Sequence, residues 1–301
     1  LDANVDGSYN AAVGVNALTA NVSGQYNVAV GHEALKLNTA SSNTAVGYQA
    51  GDAITSGDLN VAIGKSAMTA NVDSDRNVAV GGNALYAYDP ASNEDSYNVA
   101  VGAYAGFSDT VGKENTFVGG SAANGLTEGN QNVAVGTYAL DASSGTGDAN
   151  TGVGWKALSA NTSGSSNTTL GYQAGLTETD ADNNVAIGRN ALRLNVNGDD
   201  NTAVGTYALD ANTASNNTAV GYAAATSNTT GTENTALGYQ AFYTNVDGSK
   251  STAVGYKALY NSDPASAVDT MNVAVGYNAG IAVTTGTSNV LIGSLAGDGI
   301  Q

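Results

Sequence analysis

The side chains in this sequence that could do chemistry are carboxylates. The chain carries 26 Asp and Glu against 9 Lys and Arg, a single His and no Cys. Acidic residues come in pairs, at Asp73 and Asp75, Glu94 and Asp95, Asp180 and Asp182, and Asp199 and Asp200. Two acids about 5 to 10 Å apart are all that glycoside hydrolysis requires, and paired carboxylates beside backbone carbonyls suit Ca²⁺. Neither chemistry is marked out here, because each pair lies in a polar stretch that recurs along the chain, and the Gly-Gly-x-Gly-x-Asp pattern of calcium-binding β-rolls is missing. Solvated acidic loops and no cofactor are expected, with Ca²⁺ at those loops as the alternative. His32 stands at a variable position of a repeat, where a surface residue is expected rather than a triad base or metal ligand. Without Cys there is no thiol nucleophile and no disulfide. The chain is expected not to be an enzyme.

The reason for the recurrence lies in the elements that carry these residues. "NTAVGYQAG" from Asn43 returns as "NTTLGYQAG" from Asn167 and as "NVAVGYNAG" from Asn272. With the Asn as position zero, seventeen copies begin between Asn10 and Asn289, mostly 17 residues apart, with steps of 16, 18 and 21 as the exceptions. One copy, starting at Ser251, lacks the Asn. Such a period marks a solenoid in which each repeat packs on its neighbours.

Position four is Gly and position seven Ala in every copy, position three is always Val, Ile or Leu, and position one is Val or Thr except at Ala11. Val and Thr two residues apart imply a three-residue strand ended by a Gly corner. The uniform aliphatic at position three reads as the buried side of that strand. The thirteen Ala residues at position two then read as an outward apolar stripe suited to another chain. A second short extended stretch is expected over positions five to eight, followed by a polar return. The Asn residues at position zero are expected to bond up the stack as a ladder. The fold class is therefore all-β: a parallel β-solenoid of about seventeen coils, one continuous domain over 1–301, roughly 80 Å long at ~4.8 Å per coil. Leu1 and Gln301 fall in mid-coil, as in a piece of a longer chain or a subunit that stacks end to end.

Recognition is expected of aromatic residues and of the departures from period. Position five is Tyr in four successive copies, Tyr222, Tyr239, Tyr256 and Tyr277, and Trp155 stands at the same position. Such rings offer apolar faces and a hydrogen-bonding tip to carbohydrate or protein, or pack along a corner or a subunit seam. The two 21-residue copies share Asp-Pro-Ala-Ser, which places Asp89 and Pro90, Asp263 and Pro264 in outward loops as further candidate contacts.

"NVAVG", "NVAIG" and "NTAVG", each followed by two variable residues and Ala, resemble the head repeats of trimeric autotransporter adhesins. "NTAVGYQA" and "NTALGYQAFYTN" are similar to repeats of phage tail fibres and related surface proteins that precede an endosialidase-type intramolecular chaperone. The resemblance spans the chain. It implies a left-handed β-roll, a homotrimer, and a place on a cell surface, outside the cell or on a virion. The function expected is a non-catalytic attachment rod that meets a cell-surface carbohydrate or protein receptor; the alternative is a self-assembling extracellular filament. An ice-binding solenoid stands last, because Thr202, Thr218, Thr235 and Thr252 share parity with the position read as buried. The net charge of −17 argues against nucleic acid and anionic membrane as partners, and no apolar run is long enough to cross a bilayer.

Overall fold

A computed structural model describes residues 3–90, 94–142, 144–264 and 266–299. They form an all-β parallel solenoid with no helix among the described residues. The chain divides into two compact units, Leu1–Asn150 and Thr151–Gln301. In the first unit, eight three-residue strands from Ala11–Val13 to Val133–Val135 pair in parallel, each position facing its counterpart one copy on: Val28 pairs with Thr44, Ala29 with Ala45, Val30 with Val46. In the second, nine strands from Thr151–Val153 to Val290–Ile292 do the same, and a two-residue pair joins Gly248–Ser249 to Val268–Asp269.

Each strand ends at a Gly that no other residue could replace without strain. The position-four glycines have φ between +126° and +145°. A Cβ on Gly188 would lie 2.7 Å from the carbonyl carbon of Gly205 in the next coil. Successive corners thus stack backbone on backbone.

The side chains of the strand face the opposite way from the reading of the sequence. Position two is buried, with Ala29, Ala45, Ala100, Ala203 and Ala219 fully enclosed, whereas positions one and three are half-buried or exposed on the outer face. The cause is the thinness of the coil. At Gly152, an added Cβ would sit 3.2 Å from the carbonyl of Ala157 and 3.7 Å from Cβ of Leu158, so the position-seven Ala and position-eight side chain of the same coil leave room for little more than a methyl group. Val, Ile and Leu at position three therefore remain outside.

Positions five to eight are also not extended. They form a tight turn in which positions six and eight adopt left-handed backbone even as Glu33 (φ 59°), Leu35 (φ 48°) or Leu85 (φ 47°), conformations that cost non-glycine residues free energy. The arrangement flips alternate peptide planes. Glu33 donates its N–H back to Val15 O at 2.9 Å, while Leu35 donates forward to Ala50 O at 3.0 Å. The inter-coil ladder therefore continues through the turn, and the strain is offset by satisfied backbone.

Candidate functional site

The expected Asn ladder runs through both units. Asn60 accepts the backbone N–H of Asn77 at 2.9 Å through Oδ1, and its Nδ2 donates to Ser74 O at 2.8 Å. Ser251 keeps half of this role: Asn272 donates its N–H to Ser251 Oγ at 3.0 Å, and the Ser251 hydroxyl meets the Thr270 hydroxyl at 2.7 Å.

Two further ladders were hidden in the polar return. At position eleven, Asn21, Asn71, Asn195, Asn228 and Asn245 point inward and are fully buried. Each Nδ2 closes its own turn, as Asn245 does with Gly248 O at 3.0 Å, and the row is linked where Asn245 Nδ2 donates to Asn228 Oδ1 and Asn228 Nδ2 to Asn212 Oδ1, both at 2.7 Å. Of the Asn-x-Ser/Thr sites, those at Asn21, Asn161 and Asn228 belong to this buried row. Two positions before several of the position-zero Asn residues, a side-chain oxygen accepts the backbone N–H of the coil before: Asp75 from Asp58 at 2.7 Å, Asp182 from Ser165 at 2.6 Å, Asp199 from Asp182 at 2.9 Å. Much of the acidic character of the returns is thus structural. The signal in the sequence was the recurrence of Asp, Ser, Asn or Thr at one offset.

Members of the acidic pairs also form ion pairs, Glu94 with Lys113 at 2.6 Å and Asp95 with Arg76 at 3.0 Å. The carboxylate of Asp180 is held below the usual range by hydroxyls of Ser163 and Thr162, the arrangement of a good acceptor rather than a proton donor. A shallow cleft of about 390 Å³ is lined by Ser108, Asn124, Gly125, Thr127, Asp141 and Ser144, with one carboxylate among them. No cluster of three or more His, Asp or Glu suited to a metal occurs among the described residues. His32 stacks on Tyr48 at 5.4 Å.

Tyr222, Tyr239, Tyr256 and Tyr277 form one stack. Their ring centroids are 5.3, 5.2 and 5.1 Å apart with interplanar angles of 12°, 7° and 8°, and each is 41 to 54% exposed. Beside them Tyr243 stacks on Tyr260 at 5.0 Å, and Lys257 Nζ lies 5.5 Å from Tyr256 and 5.0 Å from Tyr260 ring centroids. Trp155 stands apart from this run, stacked on Tyr172 at 4.9 Å with Lys156 over its ring. Because one ring covers the next, the faces are consumed within the stack; ring edges and hydroxyls remain for a partner.

The two Asp-Pro sites match each other. Asp89 accepts the N–H of Val72 and Asp263 that of Val246, both at 3.1 Å, while Pro90 and Pro264 are buried. Beyond the loops, Arg76 pairs with Asp95 at 3.0 Å and Lys250 with Asp269 at 2.7 Å. Ala91, Ser92 and Ala265 lie outside the described residues.

No protein-family model matches this chain, and neither a curated protein nor a solved structure is matched by it.

Proposed function

We propose that the chain is a structural fibre module that acts by repetition, associating with copies of itself and presenting its aromatic corner and its two long copies to a receptor outside the cell, on a cell surface or on a virion. One observation carries this reading. In a chain of net charge −17, no charged residue occupies strand positions one to three in any copy. The outward position-three residues of interior strands, such as Ile63, Leu170 and Leu237, remain 37 to 48% exposed. An uncharged aliphatic stripe on every coil is the surface of a subunit seam rather than of a monomer.

The aliphatic stripe sits at position three, beside Val or Thr at position one, rather than on the Ala residues, and a homotrimer or a filament would both bury it. Sedimentation velocity at micromolar concentration tests the reading: a discrete trimer or larger polymer is expected, dissociated by Leu237→Asp with Val254→Asp, whereas a wild-type monomer would overturn it. The receptor expected is a neutral or cationic carbohydrate or protein, and no catalysis is expected.

Ice binding has gained a specific support. Thr202, Thr218, Thr235 and Thr252 lie in register on the outer face, with Thr218 and Thr235 exposed. A thermal-hysteresis assay separates this second reading from the first, since a fibre module should leave freezing unchanged.

A further inference from the structure

Among the described residues, two carboxyl groups are fully buried in the solenoid, one in each unit. Asp109 and Glu178 both occupy position eleven, in the inward row that is mostly Asn, and both are fully buried. Glu178 fits because position eight of its own coil is Gly175, where a Cβ would come within 2.8 Å of Glu178 Oε2. Asp109 likewise follows a glycine, Gly106.

The hydrogen bonds of the row show what an acid lacks there. Where the row is linked, Nδ2 of one Asn donates to the oxygen of the member one coil before, as Asn245 does to Asn228 and Asn228 to Asn212, whereas Asn38 and Asn212 donate within their own turns, to Ala40 O and Ala214 O. Asn195 Nδ2 points to Glu178 Oε1 in the same manner, at 3.5 Å. Glu178 has no N–H to pass on. Glu178 Oε2 and, one coil earlier in the same row, Asn161 Oδ1 are both buried without a partner, two acceptors to which no N–H is supplied. At Asp109, Oδ1 accepts the N–H of Gly112 at 2.8 Å, while Oδ2 is also buried without a partner.

We propose that Glu178 and Asp109 are kept as neutral carboxylic acids in the native fold, each proton standing in for the N–H of the Asn found elsewhere in the row, with Glu178 Oε2–H donating to Asn161 Oδ1. The row is thereby a pH-sensitive lock that holds tightest in acid. Burying an isolated carboxylate without a counter-charge is too costly to be the alternative. The groups packed around the two acids supply no such charge. Glu178 has only the Asn161 and Asn195 amides as row neighbours, and desolvation pushes it up to about 8 against a hydrogen bond from Asn195. Asp109, pushed up to about 7 by desolvation, is opposed only by hydrogen bonds from Gly112, Asn115 and Val111, and the titratable group facing it from the coil before is the Tyr88 phenol, which burial itself pushes up and keeps neutral.

The sign follows from linkage. An acid whose folded pKa is raised gives up its proton more readily when unfolded. Stability is therefore full below the ordinary carboxyl range, falls as pH rises from there toward about 7 for Asp109 and about 8 for Glu178, and then levels.

Glu178→Gln and Asp109→Asn supply the missing N–H donors at nearly constant volume and test the proposal. Wild-type protein, unfolded by urea at pH 5 to 9, should show its folding equilibrium constant fall by up to tenfold per pH unit for each acid within its window. Each variant should remove one such contribution and resist urea better than wild type at pH 8. Equal pH dependence in wild type and double variant would overturn the proposal. A second readout does not depend on unfolding: the infrared carbonyl band of protonated carboxylic acid should be present in folded wild type at pH 6 and absent from the double variant. Folded wild type without that band would also sink it.

Discussion

The carboxylate of Asp89 takes the backbone N–H of Val72 at 3.1 Å. In ordinary coils the N–H at this position finds the main-chain carbonyl one coil on, as Thr39 finds Thr55 O at 2.9 Å. Asp89 precedes Pro90, where a 21-residue copy leaves the stack, and its side chain replaces the carbonyl that the detour removes. Asp263 does the same for Val246 ahead of Pro264. Asp-Pro is thus a device for interrupting the ladder without orphaning a donor.

Asp263→Ala should lower stability by about 0.5 to 1.5 kcal/mol through loss of this hydrogen bond, and Asp263→Asn, which keeps an acceptor oxygen, should lower it less. Asp89→Ala should cost less than Asp263→Ala because the Val72 contact is exposed and the Val246 contact is partly buried. Denaturant midpoints of the four proteins, wild type included, give the comparison; equal midpoints for wild type and Asp263→Ala would refute the role.

Gly188→Val should destabilise by at least about 1 to 3 kcal/mol, the cost of backbone strain alone. Gly188 has φ +130°, and its Cβ would approach the Gly205 carbonyl carbon at 2.7 Å, backbone that cannot swing aside. A melting temperature unchanged from wild type would remove the corner from the account of the fold.

These corners were legible because one residue type serves one backbone conformation: Gly14 to Gly293 at position four announce the coil, and Asn at position zero announces its ladder. The orientation of the strand was not legible by the usual rule. Val and Ile at two-residue spacing normally mark an inward face, but here the interior is too narrow for them, as the contacts of Gly152 show. The exceptions carried the signal. Phe117, Thr169 and Leu291 at position two each lie against a glycine at position eight: a Cβ on Gly106 would meet Phe117 at 2.7 Å, one on Gly175 would meet Thr169 at 2.9 Å, and one on Gly280 would meet Leu291 at 2.9 Å. That exchange of volume identifies position two as core, and it explains the last Gly of the "GYQAG" from Gly171 and of the "GYNAG" from Gly276; at Gly51, the last Gly of the other "GYQAG", the space is taken by Ile54. The inward Asn at position eleven was obscured because Ile54, Tyr88, Leu126 and Val283 interrupt it.

The reversed orientation makes its own forecast. Ala236→Val adds two methyl groups to the enclosed face and should cost about 1 to 3 kcal/mol by overpacking, whereas Leu237→Thr, one residue on but outward, should change intrinsic stability by less than about 0.5 kcal/mol. Measurement below the association concentration isolates the coil from any seam. If Leu237→Thr were the costlier change there, the inward face would be misassigned.

The last expectation concerns the long copies. Excising Asp-Pro-Ala-Ser at 89–92 and 263–266 removes four residues from each 21-residue copy and restores a length of 17. Position twelve is then Asn93 or Ala267, whose own carbonyl can take the Val72 or Val246 N–H as it does elsewhere in the stack. The excision also shifts Asp95 and Asp269, whose pairs with Arg76 and Lys250 are exposed and therefore contribute little. Secondary structure and assembly state should survive, and any change should appear only in contacts with a partner chain or receptor. Circular dichroism and sedimentation of the double deletion decide the matter: a collapsed spectrum would mean that the detours hold the coils together, since a dispensable loop cannot take the fold with it.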